Sequence, residues 1–172
     1  TKRAIDECLR KAFGGTVPSD LQLVVVYATL GHRLANVSDI FKEILPDVTV
    51  LGASCGGVIG PDGPGESMNE LAIFAISGTA SELAISTIDD VNPDNSEQKT
   101  IELATDLKAK NDQSNALFIT VPGMECACDS VVAGFDQVFV ENIPIFGGVS
   151  SDNMKNITSY QLINGQVSEH SI

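Results

Sequence analysis

Residues 21–27, Leu-Gln-Leu-Val-Val-Val-Tyr, restrict the fold more than any other segment of the chain. A nearly continuous, β-branched apolar run of this length is the signature of a strand covered on both faces, which in turn requires layers on either side of a sheet. The period then changes. Leu34, Val37, Ile40, Phe41, Ile44 and Leu45 recur at helical spacing until Pro46 ends the stripe, and residues 48–51 form a second strand running into Gly52-Ala53-Ser54-Cys55-Gly56-Gly57. Strand, helix, strand in that order predicts a right-handed βαβ crossover within a partly parallel sheet.

The remaining segments extend this α/β pattern. Residues 2–13 read as an amphipathic helix stopped by Gly14-Gly15. After a Gly/Pro-rich loop at 60–65, residues 70–77 and 82–88 are predicted as an antiparallel pair of strands around Gly78, and the polar stretch 89–98 as a link. A helix over 101–107, a buried strand at 116–121, a helical stripe over 131–139 and a second glycine turn at 147–151 follow. Residues 158–163 and 166–172 are expected to pair as a hairpin on Asn164-Gly165, the strongest short-range hairpin signal. The expected fold is therefore α/β with two duplicated βαβ-plus-hairpin halves, 1–90 and 96–172, and a mixed, mainly parallel sheet flanked by helices.

Composition narrows the partners. Ten Lys and Arg against 23 Asp and Glu leave a net charge of −13, and no basic run exceeds two residues, so neither nucleic acid nor an anionic membrane surface is an expected partner. With 43% hydrophobic and 19% charged residues the chain should fold on its own core. Its longest apolar stretch, 21–30, is too short to span a bilayer, and no segment has a signal-peptide pattern. Cys8, Cys55, Cys126 and Cys128 do not have the spacing of a secreted disulfide framework, so a reducing cytoplasm is the expected compartment. A chain that begins at Thr1 rather than Met reads as part of something longer.

Gly52-Ala53-Ser54-Cys55-Gly56 has the letter spacing of the hydrolase nucleophile elbow. The elbow must open a helix, however, and Gly60, Pro61, Gly63 and Pro64 prevent one. His32 and His170, the two histidines, are poorly placed in chain order to act as its base. A small hydrolase or transferase using Ser54 or Cys55 is thus the second reading. The first is a turn that offers backbone N–H groups to a small anion, since the chain lacks both the phosphate-loop Lys and the dinucleotide GxGxxG. Cys126-Ala127-Cys128, near Met124 and Glu125, has soft-metal or redox chemistry available but reads more simply as two free thiols. No metal or cofactor is expected. His32, just after the first strand, falls at the carboxyl end of the sheet, where open α/β folds bind ligands. Ser150-Ser151-Asp152-Asn153 provides a polar clamp or a turn.

Residues 23–27, 34–45, Val50-Leu-Gly-Ala-Ser-Cys-Gly-Gly-Val58, 71–76, Pro144-Ile-Phe-Gly-Gly-Val-Ser-Ser-Asp152, Thr158-Ser-Tyr160 and Asn164-Gly-Gln-Val167 together resemble the N-terminal half of the FIST domain, over about residues 21–172. The resemblance implies a non-catalytic sensory input module that binds small ligands such as amino acids. It also implies an output partner such as a histidine kinase, a chemoreceptor or a cyclic-di-nucleotide enzyme, and a C-terminal part of the domain beyond this chain. On this reading the two glycine turns face one cleft. Ser54, Gly56, Gly57, Ser150 and Ser151 would give N–H and hydroxyl groups to a ligand carboxylate, with Cys55 and Gly148 also in the ligand site, while Asp152 or Glu125 would receive an ammonium.

Overall fold

The structure, a computed structural model, describes residues 1–124, 126–140, 143–153 and 158–172. Helix α1 (Lys2–Phe13) buries Ile5 and ends on Gly14 in the left-handed conformation, whose N–H reaches the Arg10 carbonyl at 2.9 Å. The apolar run at 21–27 becomes β1 (Leu21–Ala28), with six of its eight residues buried, and α2 (Leu34–Ile44) leads to β2 (Thr49–Ser54). β1 and β2 pair in parallel, as the βαβ pattern requires. A short hairpin, β3 (Val58–Gly60) and β4 (Gly63–Gly65), follows, and β5 (Leu71–Ser77) returns antiparallel to β1.

The second segment repeats the order helix, strand, helix, strand. It comprises α3 (Ser96–Lys110), β6 (Leu117–Val121), α4 (Cys128–Val138) and β7 (Ile145–Val149), with β6 and β7 parallel. Its hairpin does not stay with it. β8 (Gln161–Ile163) pairs antiparallel with β2, giving a five-stranded sheet in the order β5-β1-β2-β8-β9, where β9 is Gln166–Ser168. The mixed, helix-flanked α/β architecture is as expected. The structure does not bear out the duplication into two like halves, because the second hairpin completes the first sheet.

Three other expectations change. Residues 82–88 do not form a strand with β5, which pairs with β1 and ends the five-stranded sheet. Instead Thr79 and Glu82 bind each other in a capping box that opens a short 3-10 turn, Ala80–Glu82. The strand expected over 166–172 ends at Ser168, and Ile172 then exchanges two backbone hydrogen bonds with Ile88, both 3.0 Å. The link at 89–98 is partly core and helix: Val91 is buried and α3 already starts at Ser96.

Two cores result. One packs Ile5, Val24, Val26, Leu34, Val37, Phe41 and Leu162 between the helices α1 and α2 and the five-stranded sheet. The other packs Leu103, Ala104, Leu117, Val121, Val131 and Phe135 between α3, α4 and the β6–β7 pair. Leu162, from the second segment, lies fully buried in the first core and locks the segments together.

Candidate functional site

The carboxyl ends of β1 and β2 open on a pocket of about 520 Å3, within the size range of small-molecule sites. The loop after β1 and the start of α2 form one wall, through Leu30, His32, Arg33, Leu34 and Ala35. Ser54 lies at its base and Met68 beside it; Asp152, Thr158, Tyr160 and Val167 of the second segment close the other wall. A larger cavity, about 710 Å3, lies between the sheet and α3–β6. Its lining includes Leu23, Leu103, Phe118 and Phe146, and it lacks the opposed charges of the smaller pocket.

Backbone contacts hold the β1 exit loop rigidly. Thr29 N–H donates to the Glu70 carbonyl at 3.0 Å, Glu70 N–H donates to the Thr29 hydroxyl at 2.9 Å, and Gly31 N–H donates to the Met68 carbonyl at 2.7 Å. The backbones approach so closely at Gly31 that a Cβ there would overlap the Met68 carbonyl oxygen; only glycine fits. His32 is then buried, with Nε2 on the Asn69 carbonyl at 2.9 Å and Nδ1 on the Thr1 hydroxyl at 3.2 Å. A carbonyl can only accept, so Nε2 carries a proton and donates to Asn69. Both ring nitrogens are thus engaged in fixing the loop.

Arg33 follows as the N-cap of α2. It is exposed at the pocket, and among the described residues its guanidinium forms no ion pair. No side chain caps this helix and its first turn has no acidic residue, so its leading N–H groups and its positive dipole end add to the cation. Across the pocket Asp152 is buried and accepts the Thr158 N–H at 3.3 Å. The lining of one concavity therefore contains both a cationic and an anionic side chain.

The two glycine-containing segments do come together. Ser151 N–H donates to the Ser54 carbonyl at 2.8 Å, and Gly56 lies against Ser151 and Asn153. Both begin as strand rather than turn, however: Gly52, Ala53 and Ser54 belong to β2, and Gly147 and Gly148 belong to β7, with Gly148 opposite Thr120. Of the residues singled out in the sequence, His32, Ser54 and Asp152 line the pocket. Cys55, Gly56, Gly57, Gly148, Ser150 and Ser151 do not, and Glu125 lies outside the described residues.

Ser54 and Ser150 have structural partners that weigh on any chemical role. Ser54 is buried, its hydroxyl accepts the Tyr160 N–H at 2.9 Å and its own N–H donates to the Tyr160 carbonyl at 2.9 Å, which extends the β2–β8 pairing. Ser150 Oγ accepts the Gly123 N–H at 3.1 Å and lies 2.8 Å from Ser159 Oγ, and the fully buried Gln161 amide also donates to it. Burial pushes the Cys55 thiol above its ordinary value, against a smaller opposing pull from the Gly57 backbone N–H, so little thiolate forms near neutrality. The segment after Ser54 forms the β3–β4 hairpin in place of the helix that a nucleophile elbow opens.

Sequence reasoning missed Arg33, although a signal existed: it is the one basic residue between Lys11 and Lys42, and it sits beside His32 at the start of a helical stripe. Leu30, Leu34, Met68 and Val167 carried no such signal, because apolar residues in loops, first turns and strands read as core.

No curated protein and no solved structure matches the chain. Among the described residues no helix is long and apolar enough to cross a membrane. The FIST N domain family model matches residues 22–172, from β1 through both walls of the pocket to the last residue. The chain belongs to the FIST N domain family, a family of sensory domains in signalling.

Proposed function

We propose that this chain is the ligand-recognition part of a cytoplasmic sensor, and that the pocket between α2 and Asp152 takes an amino acid or a related small carboxylate. The observation that carries the reading is that Arg33 and Asp152, from different segments of the chain, both line one pocket at the strand ends. A zwitterion matches that arrangement. Its carboxylate meets the Arg33 guanidinium and the uncapped first turn of α2, where charge-assisted hydrogen bonds are strongest. Its ammonium faces Asp152, while Leu30, Leu34, Met68 and Tyr160 flank the side chain. Ser54 and Ser151 join the two segments behind the ligand, with Cys55, Gly56, Gly57, Gly148 and Ser150 supporting them.

Because the walls come from different segments of the chain, a ligand that bridges them favours the arrangement in which they are closest. An output partner, such as a histidine kinase, a chemoreceptor or a cyclic-di-nucleotide enzyme, would read that change. A thermal-shift panel of amino acids, their des-amino monocarboxylate counterparts and nucleotides tests the reading. Amino acids should raise Tm saturably, and more than the monocarboxylates do. A rise with nucleotides alone, or none with millimolar amino acids, would overturn it.

A further inference from the structure

Cys126 and Cys128 lie at the start of α4, away from the pocket, with their sulfurs 4.0 Å apart. Cys128 is the exposed first residue of the helix, Cys126 is half-buried in the loop before it, and the exposed Met124 lies two residues further upstream. The geometry points to this pair as a binding site for a soft monovalent metal ion of the copper(I) class.

Three features support the assignment. Metal–thiolate bonds are about 2.3 Å long, so two sulfurs 4.0 Å apart, bridged by one ion, subtend about 120° at it. That angle is the trigonal one and leaves a third position open, for which Met124 is the nearest soft donor along the chain. Among the described residues no group of three or more Cys, His, Asp or Glu gathers around a common point, so the four donors that structural zinc requires are not assembled among them. Finally, two thiolates around a monovalent ion leave one net negative charge. The α4 N-terminus, whose N-cap Ala127 gives no side-chain cap, offers its positive dipole end to that charge.

Binding is a displacement without redox change. Both S–H bonds break, two metal–sulfur bonds form, two protons leave to solvent and the ion keeps its oxidation state.

The test is anaerobic competition for copper(I) between the fully reduced chain and the chromophoric chelator bicinchoninate. The chain should withdraw one equivalent, and Cys126→Ser and Cys128→Ser should each lose at least tenfold in affinity. Cys8→Ser and Cys55→Ser should bind as the wild type does, with Tm confirming that each variant folds. No withdrawal by the wild type, or loss only in the Cys55 variant, overturns the assignment. X-ray absorption of the loaded wild type gives an answer independent of the variants: a shell of two or three sulfurs supports the site, and a nitrogen or oxygen shell refutes it.

Discussion

Arg33 and Ser54 lie within one pocket but do different work, and substitution should separate them. Arg33 is exposed and has no ion-pair partner among the described residues, so Arg33→Ala should leave Tm nearly unchanged. It should weaken amino-acid binding by roughly tenfold to a hundredfold, the value of a charged hydrogen-bonded contact. Ser54 is buried and its hydroxyl accepts the Tyr160 N–H. Ser54→Ala leaves that donor without its partner and should cost about 1–3 kcal/mol in urea unfolding. Cys55 provides a pH-dependent check. Its thiol is raised by burial, so at any pH below that value less thiolate is present than in free cysteine. Alkylation by iodoacetamide at pH 8 should lag free cysteine and keep rising with pH where free cysteine has levelled off; rapid labelling at pH 7 would revive the nucleophile reading. Ser54 and Asp152 were legible in sequence because small and acidic residues after a strand and a glycine pair are conspicuous. Arg33 was not, because a charge beside a helix start is usually solvated, and only the distant Asp152 gives it a counterpart.

Among the elements, the hairpin β8–β9 shows what a local signal can and cannot tell. Asn164 and Gly165 both have positive φ, 44° and 91°, as a type I′ turn requires, and this was readable from two letters. The strand that β8 joins was not readable, since β2 lies more than a hundred residues earlier in the chain and nothing in the local pattern chooses between sheets. Asn164 also binds both backbone polar groups of Val50: its N–H donates to the carbonyl at 2.8 Å, and its side-chain oxygen accepts the Val50 N–H at 3.2 Å. Leu162→Ala, at a fully buried position of the first core, should therefore destabilise the protein by about 2–5 kcal/mol in chemical unfolding. If β8 merely rested on the sheet edge, the cost would fall below about 1 kcal/mol. The strand expected at 82–88 differs for a related reason: Ile88 exchanges its backbone hydrogen bonds with Ile172, far along the chain, and not with the adjacent β5.

Across the whole molecule, two cores are joined where the second segment supplies a strand to the first sheet and a wall to the pocket. The α/β class and the strand–helix–strand order of both segments follow from periodicity, but the β3–β4 hairpin and the absence of a strand at 82–88 do not, and this exchange depends on contacts far apart in the chain. Its functional consequence is that the pocket exists only when the segments are together, so ligand binding and their association are linked. The measurement closest to the central claim is a calorimetric titration of the wild type and Arg33→Ala with the amino acid that most raises Tm, alongside its des-amino analogue. Saturable binding by the wild type, preference for the amino acid over the analogue, and at least a tenfold loss in the variant are expected. Equal affinity of wild type and Arg33→Ala for that amino acid would contradict the placement of its carboxylate at α2, and with it the assignment of this pocket as the sensory site.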